Sequence, residues 1–121
     1  MKIEVAVHNG TKIAVIHSDH ILISDVQSAL DLMATVRYEC DSDSVVLYKS
    51  ALADDFFKLE TKLAGEVLQK FINYQFRIAI VGDFSIYNSK SLKDFIYESN
   101  KGRNVFFVST LEEALNRLGN R

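Results

Sequence analysis

Three short apolar runs, VVLY at 45–48, RIAIVG at 77–82 and VFFV at 105–108, are separated by stretches whose apolar residues recur at helical spacing. That alternation constrains the chain more than any other feature. Short continuous apolar runs suit strands buried on both faces, and an intervening helix is what a parallel crossover requires. The opening residues extend the pattern. Ile3, Val5 and Val7 alternate with Lys2, Glu4, Ala6 and His8, the period of a half-buried strand, and KIAVI follows at 12–16. Asn9-Gly10 lies between them. Both residues accept the positive φ of a type I′ turn, so the chain is expected to open with an antiparallel hairpin.

The helical stretches carry their own signals. Ser24 with Gln27 has the spacing of a capping box, and Val26, Leu30, Met33 and Val36 recur behind it, which predicts a helix over about 25–38. Phe56, Leu59, Leu63, Val67, Leu68, Phe71 and Ile72 share one face of a second helix. Its start has two readings: a cap at Asp54 or Asp55, or an irregular entry that delays it to about Glu60. SLKDFIYESNKG predicts a third helix, with Leu92, Phe95 and Ile96 inward and Gly102 suited to its C-cap. Thr110 with Glu113 opens a last helix through Leu118. The order is ββαβαβαβα. It defines an α/β fold, one domain over 1–121, with a mostly parallel mixed sheet and flanking helices.

Composition narrows the function classes. No run of about 18 apolar residues exists, so no membrane helix is expected, and MKIEVAVHNG lacks the apolar block of a signal peptide. Cys40 is the single cysteine, which excludes an intramolecular disulfide and fits a reducing compartment. A cytoplasmic protein is expected. A formal net charge of -2 gives no support for a phosphate-neutralising face. Lys90, Lys93, Lys101 and Arg103 bracket the third helix, but Asp94 and Glu98 lie among them, as on a solvated surface. Nucleic acid is not expected as a partner.

Open parallel sheets bind ligands outside the carboxyl ends of their strands. Lys49, Ser50, Asp83 and Ser85 follow strands three and four, and are the candidate loop for an anion or small molecule. Asp and Ser after a strand are also ordinary turn formers and caps. Gly82 stands alone, without the glycine spacing or the lysine of a phosphate loop. AIVGDFSIYNSKSL therefore reads first as a core strand and a helix-capping loop. His17, Asp19 and His20 fall in a loop with no cysteine near, too few ligands for a metal. No Gly-x-Ser-x-Gly occurs, and Cys40 after a helix suits a small hydrophobe. No catalytic group and no cofactor is expected.

Three segments, DVQSALDLMATVRYE, DDFFKLETKLAGEVLQKFINY with RIAIVGDFS, and SLKDFIYESNKGRNVFFVSTLEEAL, resemble a small bacterial family, domain of unknown function 4180, over nearly the whole chain. The strand and helix order more distantly resembles the STAS domain, the fold of bacterial anti-sigma factor antagonists and of transporter regulatory tails. FFVSTLEEAL at 106–115 is similar to the STAS ending, and LETKLAGEVL at 59–68 lies where that family has Asp-Ser-Ser/Thr-Gly-Leu-Gly. The resemblance places Thr61 on the phosphorylatable hydroxyl and Leu63 on the leucine, with Leu59, Glu60 and Lys62 departing from the motif. A helix starting near Glu60 exposes Thr61 at a positive terminus, where a phosphate is stabilised. A helix starting at Asp54 makes Thr61 a mid-helix structural residue, and the fit of Phe56 and Leu59 to the helical face favours that start.

The resulting expectation is a non-enzymatic regulatory or interaction module of STAS-like fold, working through a protein partner or as a homodimer. Aromatics at Phe84, Tyr87 and Tyr97 near one end fit such a surface. The alternative is a small-molecule or anion-binding protein, or an enzyme, using the loops after strands three to five.

Overall fold

Asn9 and Gly10 carry φ of 52° and 78°, and turn Lys2–His8 (β1) back onto Thr11–His17 (β2) in the expected two-residue hairpin. The computed structural model describes residues 1–120. Beyond the hairpin, Val26–Cys40 forms α1, Ser44–Tyr48 β3, Leu63–Asn73 α2, Arg77–Val81 β4, Lys90–Lys101 α3, Val105–Val108 β5 and Leu111–Gly119 α4. Among the described residues the sheet has five strands in the order β1-β2-β3-β4-β5. The first pair is antiparallel and the others are parallel. The α/β class and the mixed sheet are as expected.

That strand order has a physical consequence. Each crossover from β2 to β5 advances in the same direction, and crossovers of one hand then place their helices on one face. Accordingly α1, α2 and α3 pack on the face formed by Ala14, Ile16, Val45, Leu47, Ile78, Ile80 and Phe107. α4 alone folds back over the other face, where Ala114 and Leu118 meet Ile13, Val15, Val46, Ala79 and Phe106. Alternate residues of each inner strand thus serve two separate cores, which is why these strands read as unbroken apolar runs.

Two helix starts differ from the expected ones. Asp25, not Ser24, caps α1: its carboxylate accepts the Ser28 N–H at 2.7 Å, and Ser28 Oγ accepts the Asp25 N–H at 3.1 Å. Ile23 is fully buried and bridges Leu52, so the chain is still extended there and the helix begins one residue later. The larger difference lies at 49–62. The early helix start at Asp54 is replaced by three 3-10 turns, Lys49–Ala51, Asp54–Phe57 and Leu59–Thr61, before α2. Phe56 and Phe57 are both buried on these turns, with Phe57 packed between Phe56 and the Tyr87 ring. Lys62, at φ 67°, breaks the path into α2. Ile72, expected inward, is largely exposed.

Arg77 secures the end of α4. Buried at the start of β4, it donates to four backbone carbonyls: Arg103 at 2.7 Å, Leu118 at 2.6 Å, Asn120 at 3.1 Å and Arg117 at 3.2 Å. Three of these belong to the last turn of α4 or the residue after it, where carbonyls lack helical partners and the macrodipole favours a cation. Thr110 caps the other end through the Glu113 N–H, while Glu113 reaches back to the Ser109 N–H instead of closing a reciprocal box.

Candidate functional site

The candidate loop residues meet at the carboxyl ends of β3 and β4. Asp83 accepts from Ser85 twice, from its backbone N–H at 2.9 Å and from its hydroxyl at 2.6 Å. Those bonds, the hydroxyl's first, hold the Asp83 carboxyl below the usual range, with a smaller contribution from the nearby Lys49 charge. Because the folded value is the lower one, this stabilisation is complete above the ordinary Asp value and is lost as pH falls through the folded one. The Lys49 stem packs against Gly82, where a Cβ would come within 2.7 Å of it. Its ammonium lies 4.8 Å from the Tyr87 ring centre and 5.9 Å from that of Phe57. Ser50 is exposed on the adjoining turn. The structure therefore brings Lys49, Asp83 and Ser85 together, but spends Asp83 and Ser85 on each other.

The strand order and the aromatic side chains shape the surroundings. Ligand crevices in open α/β sheets arise where the strand order reverses, and this order does not reverse among the described residues. The aromatics instead fill the space. Phe57 stacks on Tyr87 at 5.4 Å, and Phe84 meets Phe107 edge-on at 5.3 Å. Tyr97 stands apart, exposed beside Lys101.

Thr61 is neither mid-helix nor free. It is exposed, two residues before α2, and its hydroxyl sits 2.7 Å from the Asp55 carbonyl and 2.8 Å from that of Lys58, while accepting the Leu63 N–H at 3.3 Å. One side chain thus ties two of the 3-10 turns to the start of α2. Thr61→Val is expected to cost about 1 kcal/mol by urea titration, and Thr61→Ser to recover most of it, since the serine keeps the hydroxyl.

Other polar groups are accounted for locally. Among the described residues no cluster of His, Cys, Asp and Glu is placed to hold a metal. His17 stacks on Tyr48 and lies 3.5 Å from Glu4. Burial, and then the charge of Glu39, push the Cys40 thiol up, against a nucleophilic role. Lys90 pairs with Asp94 at 2.8 Å and Lys101 with Glu98 at 3.6 Å, the solvated helix face expected of them.

What the sequence did not disclose is the contrast between the two sheet edges. At β5, the Asn100 side chain from α3 takes the place of a neighbouring strand: its amide donates to the Phe107 carbonyl at 3.0 Å, and its oxygen accepts the Phe107 N–H at 2.7 Å. At β1 no such closure exists among the described residues. The Lys12 carbonyl accepts from Ser42 Oγ at 2.6 Å, on the β3 side of β2. Alternation then turns Thr11, Ile13, Val15 and His17 toward β1, and leaves the N–H and C=O groups of Ile3, Val5 and Val7 directed outward. Those same residues carry the apolar side chains, with Val5 48% and Val7 67% exposed. Beside them a groove of about 400 Å³ runs between β1 and the end of α1, lined by Met1, Ile3, Val5, Glu39 and Cys40.

The fold and its edges define an open-sheet α/β domain with one closed and one open edge. Residues 8–118 match the model of the family described as Domain of unknown function (DUF4180), and the chain belongs to that family. No curated protein matches the chain. A solved structure similar to it is that of a Thermotoga maritima protein described as a candidate anti-sigma factor antagonist, at 13% identity and a TM-score of 0.44, with 94% of this chain and 92% of that one covered. Among the described residues no helix is long and apolar enough to cross a membrane.

Proposed function

We propose that this protein is a non-enzymatic interaction module that acts by adding strands to its sheet at β1. The observation that carries the reading is the coincidence, along β1, of outward backbone groups on Ile3, Val5 and Val7 with exposed β-branched side chains on Val5 and Val7. Proteins ordinarily protect such an edge with inward charges, bulges or a covering element, as Asn100 does at β5. An edge left bare is a template for main-chain pairing, with alternate side chains supplying selectivity. Thr61 suits regulation, because a phosphate on its hydroxyl would remove its bonds to the Asp55 and Lys58 carbonyls and loosen the turns before α2. The alternative, an anion or small molecule held by Lys49, Ser50, Asp83 and Ser85 in the cytoplasm, draws less support, because Asp83 and Ser85 already satisfy each other.

A photo-crosslinking residue at position 7, with one at position 66 on the exposed side of α2 as control, tests the module in its own host. A discrete adduct from position 7 alone is expected. Equal or absent crosslinking at the two positions contradicts the reading.

A further inference from the structure

The sequence of β1 also identifies what pairs with it. Resting on the interaction reading above, we infer that the partner is a second copy of this chain, joined β1 to β1 in antiparallel register about a two-fold axis through Val5. Outward residues must face outward residues for the backbone bonds to form, so Ile3, Val5 and Val7 can only oppose the same set in the partner strand. The register centred on Val5 uses the whole strand. It sets Val5 against its own copy and Ile3 against Val7, giving a ladder of β-branched pairs on the face where Val5 and Val7 are exposed.

The opposite face is compatible with that register. With Val5 at the axis, Glu4 faces Ala6 and Lys2 faces His8, so no carboxylate opposes a carboxylate. A slip that puts Glu4 at the axis would set the two Glu4 carboxylates directly against each other, and would leave Val7 outside the ladder. Glu4 is moreover already placed beside Lys2 at 3.2 Å and His17 at 3.5 Å in its own chain, so it does not require a cation from the partner.

The two-fold axis stands perpendicular to the sheet, and both helical layers fall on one side. Each groove between β1 and α1 then lies next to the other copy's apolar ladder, which covers Val5 and Val7. The interface is isologous and closes on itself, so it produces a dimer with one continuous sheet and, at each outer end, the β5 edge already closed by Asn100. The asymmetry of the edges is accounted for: the edge that would otherwise propagate a fibre is blocked, and the edge that forms the dimer is bare.

Light scattering after gel filtration at tens of micromolar is expected to give twice the 13.7 kDa chain mass. Val5→Lys and Val7→Lys, both on exposed side chains, should each shift that mass to a single chain without changing the far-ultraviolet spectrum. The register has its own test. In a Cys40→Ala background, Val5→Cys should form a covalent dimer under mild oxidation, because facing Cα atoms about 5.5 Å apart lie within disulfide range. Val7→Cys, facing Ile3 instead of itself, should crosslink at least tenfold more slowly. A single-chain mass at every concentration, a dimer untouched by both lysines, or faster crosslinking at 7 than at 5 would overturn the inference. The first of these, together with a host adduct at position 7 to a different protein, would overturn the second copy while leaving the interaction module standing.

Discussion

Replacing Phe71 with Ala is expected to lower the free energy of unfolding by about 4 kcal/mol, within the range found for fully buried aromatic residues. Phe71 is completely buried on α2, and its ring meets that of Phe76 edge-on at 5.6 Å. The pair does more than fill space. Gln75 takes φ 54° just past the helix end, the Phe76 N–H donates to the Phe71 carbonyl at 2.7 Å, and the Gln75 N–H donates to that of Ile72 at 3.0 Å. This is the Schellman closure, in which an apolar contact between the third-last helical residue and the second residue past the cap fixes the exit of the chain. Phe71→Ala therefore leaves a cavity and loosens the entry to β4 together. Phe71→Leu keeps most of the volume and should cost about 1.5 kcal/mol. Urea titration of the three proteins checks the order.

Arg77→Met should cost about 3 kcal/mol and act at a distance from its own strand. The substitution keeps an apolar stem but removes donors from four carbonyls, three of them at or just beyond the last turn of α4. Charged hydrogen bonds and the penalty for leaving such carbonyls without donors both exceed those of neutral pairs. Arg77→Lys should recover only part of the loss, since one ammonium does not span the same set of acceptors. Hydrogen exchange should show α4 losing protection while α1 and α2 keep theirs. α4 is the sole helix over its face of the sheet among the described residues, and its detachment would bare Val46, Ala79 and Phe106.

Element order was legible because strand and helix periods differ and because Asn9-Gly10 leaves little choice of turn. The spatial order of the strands was not, and on it hung the expectation of a site. Open α/β sheets bind ligands where the strand order reverses, and among the described residues the order here runs straight. The 54–61 segment misled for a related reason. Phe56 and Leu59 fit a helical stripe, but the chain runs there through two tight turns that Lys62, at φ 67°, separates from α2. That placed Thr61 at the entrance to α2 and not within it. Lys49, Ser50, Asp83 and Ser85 lie beyond the ends of β3 and β4, yet the bonding of Ser85 to Asp83 and the placing of Lys49 on Tyr87 depend on rotamers that spacing does not encode. The two edges were the least visible. Nothing in the local sequence marks Asn100 as a stand-in strand, and the alternation in β1 looks the same whether its edge is paired or bare.

The most direct measurement is residue-resolved amide exchange on β1 and β5 across a range of protein concentration. The Phe107 amide should be protected at every concentration, since Asn100 holds it. Val5 and Val7 amides should exchange freely in dilute protein and become protected as concentration rises. Val5 and Val7 amides that remain unprotected at the highest concentration, or that are protected even in the monomer, would contradict the pairing of β1.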